Sequence, residues 1–380
     1  MINSASRHNI PVNMRLQRGQ ALMILMILLV TGAVTLFVHT VSNNKLRLEQ
    51  DNKTASVLAL AKDALIGYAA SDSNRPGELP CPDVNNDGEI TVADDYTGSN
   101  CKNLVGRLPW KTLGLPDLRD GSGERLWYAL SNKFHANGTT KLNSETLGEL
   151  TISGSFPASN VIAILFAPGA QLAGQVRDSA NANSVGNYLE GDNAIADTNT
   201  PTIDTSFTTA PISNTFNDRL VAISNDQLMP VIEKRVAKDV VNFLKNYSLT
   251  NGYPFAATLT GMATCSASST TGKIPLSGSN CPALMWPAWF TANNWNDVIY
   301  YARGALSVGS TTGVQTLIIM TGRPLGNTQC NGSLKVQQTR GPSATVCDYL
   351  DDTENTNGDT AYSAAHLSAT YNDQAFIVAP

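Results

Sequence analysis

Ala61-Lys62-Asp63-Ala64-Leu65 returns further along the chain as Ala237-Lys238-Asp239-Val240-Val241, each inside a helical pattern that ends at an aromatic, Tyr68 and Tyr247. Around the first copy Val57, Leu58, Ala61, Ala64, Leu65 and Tyr68 recur at three- and four-residue spacing. Around the second, Val236, Val240, Leu244 and Tyr247 do the same. That is the period of an amphipathic helix. Pro76-Gly77 must lie beyond the end of the first helix, and Pro230 suits the first helical position of the second.

Working outward from this pair, the same features follow in the same order. A cysteine pair comes next, Cys81 and Cys101, then Cys265 and Cys281. Tryptophan segments follow, Arg107-Leu108-Pro109-Trp110 and Trp286-Pro287-Ala288-Trp289. Then come strand-like runs at Leu126–Ala129 and Val298–Ala302, and apolar strands at Val161–Ala167 and Val314–Met320, each leading to a glycine turn. Asn187-Tyr188-Leu189-Glu190 matches Cys347-Asp348-Tyr349-Leu350-Asp351, and Phe216-Asn217-Asp218 matches Tyr371-Asn372-Asp373. This order predicts an α+β chain: a long N-terminal helix and two tandem copies of one module, a helix packed on an antiparallel sheet. The expected boundaries are residues 76–224 for the first copy, completed by the preceding helix, and 225–380 for the second. Segments Gln171–Ala210 and Asp351–Ala364 read as long polar loops.

At 380 residues the chain exceeds one ordinary core. Lys and Arg number 26 against 31 Asp and Glu, so the net charge of −5 offers no basic groove for nucleic acid. Aromatic and β-branched residues spread along the whole length argue against disorder.

Residues Met1–Gly19 contain Arg7, Arg15 and Arg18 and no acid. From Ala21 to Val38 there is no charge at all. About 20 apolar helical residues cover the hydrocarbon core of a bilayer, and the arginines favour an N-inside, single-pass topology. Everything after the span is then exported.

Arg18-Gly19 followed by Gln20-Ala21-Leu22-Met23-Ile24 and the apolar run resembles the prepilin-type leader of type IV pilins and type II secretion pseudopilins. The order Leu79-Pro80-Cys81-Pro82-Asp83, second cysteine, Gly106-Arg107-Leu108-Pro109-Trp110, Trp127-Tyr128-Ala129 also resembles bacterial pilin-like proteins, over residues 15–130. The resemblance implies cleavage by a prepilin peptidase between Gly19 and Gln20, a 1–19 leader, and a 20–75 transmembrane and stem helix that polymerises with other pilin subunits. The family's glutamate at the fifth mature position is replaced by Ile24, a loss typical of the K-type pseudopilin at the tip. The implied protein is a minor pilin or pseudopilin of a type IV pilus or type II secretion pseudopilus, acting in assembly priming, secretion or adhesion. It would be held in the bacterial inner membrane with its head in the periplasm or at the cell surface, contacting a secreted substrate or surface ligand. The competing readings are a permanently anchored periplasmic, calcium-stabilised binding protein without a filament, and a secreted hydrolase.

The six cysteines fall in neighbouring pairs. The repeat supports Cys81–Cys101 and Cys265–Cys281, leaving Cys330–Cys347. Each loop would restrict the unfolded chain by about 3 kcal/mol, and the periplasm allows such bonds. Zinc is the rival, but no Cys-x-x-Cys pair exists and His135 and His366 are the only histidines of the expected ectodomain.

Inside the first loop, Asp83-Val84-Asn85-Asn86-Asp87-Gly88-Glu89-Ile90-Thr91-Val92-Ala93-Asp94 carries calcium-loop spacing. Asp83, Asn85 and Asp87 stand at positions 1, 3 and 5, and Gly88 at the sharp turn. Glu89 offers its carbonyl, Thr91 stands at position 9, and Asp94 closes the shell. A metal-free, solvated Asx turn is the alternative. The corresponding loop of the second copy, placed at Ser266–Asn280, has no acid. Asp351, Asp352, Glu354, Asn357 and Asp359 form a further acidic loop, read as solvated. Nucleophile-elbow, H-E-x-x-H and Walker A patterns are absent, and Gly121-Ser122-Gly123 reads as a turn. The three tryptophans Trp286, Trp289 and Trp295 read as core or turn packing. No enzyme is expected.

Overall fold

The computed structural model describes residues 17–135, 140–194, 205–261, 263–341 and 344–380, without the side chains of 17–25, 27–28 and 31–44. The chain divides into two compact units, 1–53 and 54–380. Helix α1 runs Gln17–Ser71. Gly19, Gln20, Ile24 and the bulk of the Ala21–Val38 run therefore lie outside the described side chains. Among the described residues no helix is long and apolar enough to cross a membrane.

In the larger unit α1 buries Thr54, Leu58, Ala61, Leu65 and Ala69, one stripe at three- and four-residue spacing. Helix α2, Asn225–Asn251, buries Leu228, Met229, Ile232, Val236, Ala237, Val240 and Leu244. It starts five residues before Pro230, which lies inside it. The start is set by Gln227, whose side-chain oxygen accepts from the Ser224 amide at 3.1 Å.

The first sheet contains β1 (Val105–Arg107), β2 (Trp127–Leu130), β3 (Leu150–Gly154), β4 (Ala158–Ala167), β5 (Ser206–Thr209) and β6 (Arg219–Ser224). The second contains β7 (Thr271–Lys273), β8 (Ile299–Val308), β9 (Thr311–Met320), β10 (Ala361–Tyr362) and β11 (Gln374–Ala379). Antiparallel neighbours run β1-β2-β4-β6 in one and β7-β8-β9-β11 in the other. Each sheet then adds one parallel strand: β5 on β3, and β10 on the far end of β8. The last residues of β8 do the work of β3. A bulge at Arg303–Leu306 stands where residues 131–149 interrupt the first sheet. Strands β5 and β10 fall in segments expected to be loops. They are four and two residues long, too short to show a period.

One face of each sheet packs on both helices in a single core that includes Tyr128, Leu165, Ile223, Tyr301, Ile318 and Val378. The opposite faces are covered by loops rather than water. Tyr188 and Leu189 cover Trp127 and Phe166, while Tyr349 and Leu350 cover Tyr300 and Ile319. Burial on both faces explains why Val161–Ala167 and Leu317–Met320 read as unbroken apolar runs.

Hydrogen-bond register corrects two of the expected correspondences. Arg107 exchanges two backbone bonds with Asp83, and Lys273 exchanges two with Ala257. Arg107 lies opposite Trp127, and Lys273 opposite Tyr300. Arg107-Leu108-Pro109 thus matches Lys273-Ile274-Pro275, and Trp286–Trp289 belongs to an added segment. The first two cysteine pairs are not equivalent either, since β7 lies between Cys265 and Cys281 whereas β1 follows both Cys81 and Cys101.

Candidate functional site

Three disulfides close, Cys81–Cys101, Cys265–Cys281 and Cys330–Cys347. His135 is buried beside the first, with Nε2 3.2 Å from the Ser99 carbonyl, and burial lowers its pKa. Cys81, Cys101 and His135 are the one grouping of three ligating side chains among the described residues. Both sulfurs are already bonded, which leaves no thiolate for a metal.

The Asp83 loop is wound on its own amides. Asp83 Oδ1 accepts from Asn85 and Asn86 at 3.0 and 2.6 Å, and Oδ2 accepts from Gly88 at 2.7 Å. Asn85 Oδ1 accepts from the Asp87 amide, and Asp87 Oδ1 from the Glu89 amide. The side chain that closes the loop is Asp95, buried and accepting from Val84 and Thr91, both at 2.9 Å. Asp94 is exposed and accepts from the Thr91 hydroxyl at 2.9 Å, while Glu89 pairs with Lys111. Trp110 packs under Gly88, where an added Cβ would lie 2.4 Å from its indole nitrogen. The donor types suit a hard cation, but in this conformation Asp83, Asp87 and Asp94 form no three-carboxylate cluster. The structural counterpart of Asp83 is Ala257, so the relevant second-module segment starts there and not at Ser266.

The most elaborate polar arrangement occurs twice, beneath the loop-covered faces. In the first module the Glu190 amide donates to Asp218 Oδ2 at 2.9 Å, and Asn193 Nδ2 donates to the same oxygen at 3.0 Å. In return the amides of Asn217 and Asp218 donate to Glu190 Oε2 at 2.9 and 3.2 Å. Gln175 holds the other Glu190 oxygen at 2.7 Å. The second module repeats this. The Asp351 amide donates to Asp373 Oδ2 at 3.0 Å, Asn355 Nδ2 to the same atom at 2.9 Å, and the Asn372 amide to Asp351 Oδ2 at 2.6 Å. Gln338 holds the other Asp351 oxygen at 3.0 Å.

A buried arginine completes each copy. Arg177 donates to the carbonyls of Asn187 and Gly169, and Arg340 to those of Asp348 and Gly322. Their guanidinium groups lie 4.9 and 5.2 Å from the ring centres of Tyr188 and Tyr349.

Two carboxyl groups meet in each lock, and all four are buried. Burial, and then the charge of Glu190, raises the pKa of Asp218. Burial, and then Asp351, raises Asp373 well above the carboxylate range, and burial raises Asp351. Asp218 Oδ1 and Asp373 Oδ1 are buried without a hydrogen-bond partner among the described residues. A proton on that oxygen would satisfy it, and the raised pKa of Asp218 and of Asp373 favours that protonated, shared form of each pair. Asp351 is therefore not a solvated loop residue. The lock ties the covering loop to the last strand of its sheet. Its acids are turned onto backbone amides, an arrangement for holding loops rather than for transferring protons to a substrate.

The Asn-Asp and Tyr-Leu-acid motifs were visible as repeats. Gln175-x-Arg177 and Gln338-x-Arg340 form a further repeated pair, although the first lies close behind Gly169 and the second is separated from Gly322 by the paired strands Gly326–Cys330 and Ser333–Gln337. Comparison with protein-family models, curated proteins and solved structures found no match.

Proposed function

We propose that the chain is a minor pilin-like or pseudopilin-like subunit, placed at or near the tip of a filament and anchored in a bacterial inner membrane. The supporting observation is the helix from Gln17 to Ser71: Gly19 precedes an uncharged run, and from Thr54 onward the helix buries one stripe in a core shared with an antiparallel sheet. Met26, Leu29 and Val30 are 60, 64 and 59% exposed, an apolar surface suited to lipid or to neighbouring stems. Cleavage between Gly19 and Gln20 would free the stem for assembly. Ile24 lacks the carboxylate that would neutralise a neighbour's amine, which favours a terminal position. The matched strand orders and the two locks support descent of both modules from one.

Calcium in the Asp83 loop belongs to the same proposal. It requires Asp94 to turn from Thr91 towards Asp83 and Asp87, and Asp83→Ala would remove any difference between melts in calcium and in EDTA. Mass spectrometry of the membrane-extracted chain tests the main reading. A mature start at Gln20 supports it, and an intact Met1 start refutes it in favour of a permanently anchored binding protein.

A further inference from the structure

The two modules differ at one equivalent place between sheet and covering loop. In the first, the Arg107 guanidinium is stacked 4.1 Å from the Trp127 ring centre and 4.0 Å from that of Tyr188. It donates to the carbonyls of Arg125 at 3.1 Å and Ala182 at 2.5 Å, and so plugs the space between sheet and covering loop. In the second, the register position belongs to Lys273, whose ammonium turns to Asp297 at 3.1 Å. The covering segment is also shorter, with four residues between Arg340 and Thr345 against six between Arg177 and Ser184. Where the first module is plugged, the second has an open cleft of about 410 Å³, lined by Glu145, Leu259, Lys273, Asp297, Arg340 and Tyr349.

The cleft has a layered charge. Its cations form the floor, with Lys273 9% and Arg340 6% exposed. Its carboxylates form the rim, with Asp297 38% and Glu145 39% exposed. Each cation pairs with one carboxylate at 3.1 Å, so the lining carries no net charge and offers no advantage to a charged ligand. It does present acceptor-only oxygens alternating with donor-only nitrogens at hydrogen-bond separation. A hydroxyl both donates and accepts, so a vicinal diol can bridge Lys273 and Asp297 and donate to Glu145 without removing any charge, while Arg340 keeps its bonds to the carbonyls of Thr321, Gly322 and Asp348. Leu259 and Tyr349 supply an apolar wall for a C–H face, and the volume falls in the range of small-ligand sites.

We propose that this cleft binds a neutral saccharide of one or two rings. The site stands apart from the filament reading and does not depend on it. The test is saturation-transfer NMR on the full chain in a detergent without a sugar headgroup. The probes are glucose, galactose, N-acetylglucosamine and their β-1,4-linked disaccharides, with glucose 6-phosphate and N-acetylneuraminate as anionic counterparts. At least one neutral sugar should show transfer. Its affinity should fall about tenfold, the loss of one charge-assisted hydrogen bond, in Asp297→Asn and in Glu145→Gln. Both substitutions lie on the rim, and unchanged melting confirms the fold. No transfer to any neutral sugar, transfer that survives both substitutions, or binding of the anionic sugars alone would overturn the proposal.

Discussion

Replacing Asp218 by Asn tests whether the first lock holds a proton. Asp218 Oδ2 accepts from the Glu190 amide and from Asn193, while Oδ1 is buried without a partner beside the Glu190 carboxyl. An asparagine keeps the first set through its amide oxygen. Its NH₂ takes the place of the protonated Oδ1, donating permanently where the acid donates only while protonated. The folded pKa lies above the unfolded value of 3.8, near 8, with burial the leading cause. The native state therefore holds a proton that the unfolded chain has released across this window. The stabilisation is complete below the unfolded pKa and is lost as pH rises through the folded one. One proton is linked to about 1.4 kcal/mol per pH unit, so from pH 5.5 to 8 this carboxyl costs the wild type about 3 kcal/mol. Relative to the wild type, the substitution should gain roughly 3 kcal/mol of stability between pH 5.5 and pH 8, read from urea unfolding of the detergent-solubilised chain. Titrating groups outside the lock contribute equally to both proteins and cancel in the difference, while Glu190, freed from a neighbouring acid, ionises more readily in the variant. An equal loss of stability at both pH values would refute the shared proton and point to an ionised Asp218 with an unseen partner. Asp373→Asn should behave alike, and the double substitution should be additive.

Glu233, buried on α2 with Gln374 at 2.5 Å, has its pKa raised to about 7, above all by burial. Its stabilisation is present below about pH 4.5 and fades towards pH 7, so Glu233→Gln should flatten that part of the stability profile measured by denaturant melts. Gly272 has φ of +151°, and an added Cβ would lie 2.0 Å from the Ala257 carbonyl. Gly272→Ala should cost roughly 2–4 kcal/mol by calorimetry, through strain and a broken β7 contact. Asn143, whose Nδ2 donates to the Asn293 carbonyl at 2.9 Å, links the two modules from the 131–149 segment. Asn143→Ala should lower the melting temperature, with a cost of about 1–2 kcal/mol.

The helices were legible because both present one apolar stripe, and the long strands because they are apolar throughout. The register between the modules was not. Tryptophan and cysteine are conspicuous and invite alignment, yet Trp286 and Trp289 lie in an added segment and Cys265–Cys281 straddles a strand. The true anchors are ordinary residues: Gly106 and Gly272, where an added Cβ would meet the carbonyls of Asp83 and Ala257, and Pro109 and Pro275. Backbone approach fixes them, and a side-chain pattern carries no trace of it. The locks were half legible. Their acids lie on short motifs that repeat, but the reciprocity of amide and carboxylate depends on a fold that brings residues 190 and 218, or 351 and 373, together.

The places where the modules agree and differ divide the molecule by role. Both keep the strand order, the loop-covered face, the Gln-x-Arg segment and the paired acids, and each of these satisfies buried backbone or buried carboxyl groups. Such groups are costly to leave unpaired, so a change in either partner must be matched by the other. The differences lie elsewhere. Asp83 gives way to Ala257, Arg107 to Lys273, and the 131–149 segment of the first module has only a bulge as its counterpart in the second. The first two leave the locks and the shared core in place, whereas the 131–149 segment adds Phe134 and Leu142 to that core and sets Glu145 against Arg340. Two of them, the Lys273 position and the 131–149 segment through Glu145, meet at the open cleft of the second module. A scaffold whose buried polar groups tolerate little change can still vary at a plug, a loop and an insertion. Binding specificity in this chain is therefore expected at the cleft, where two of those variations converge.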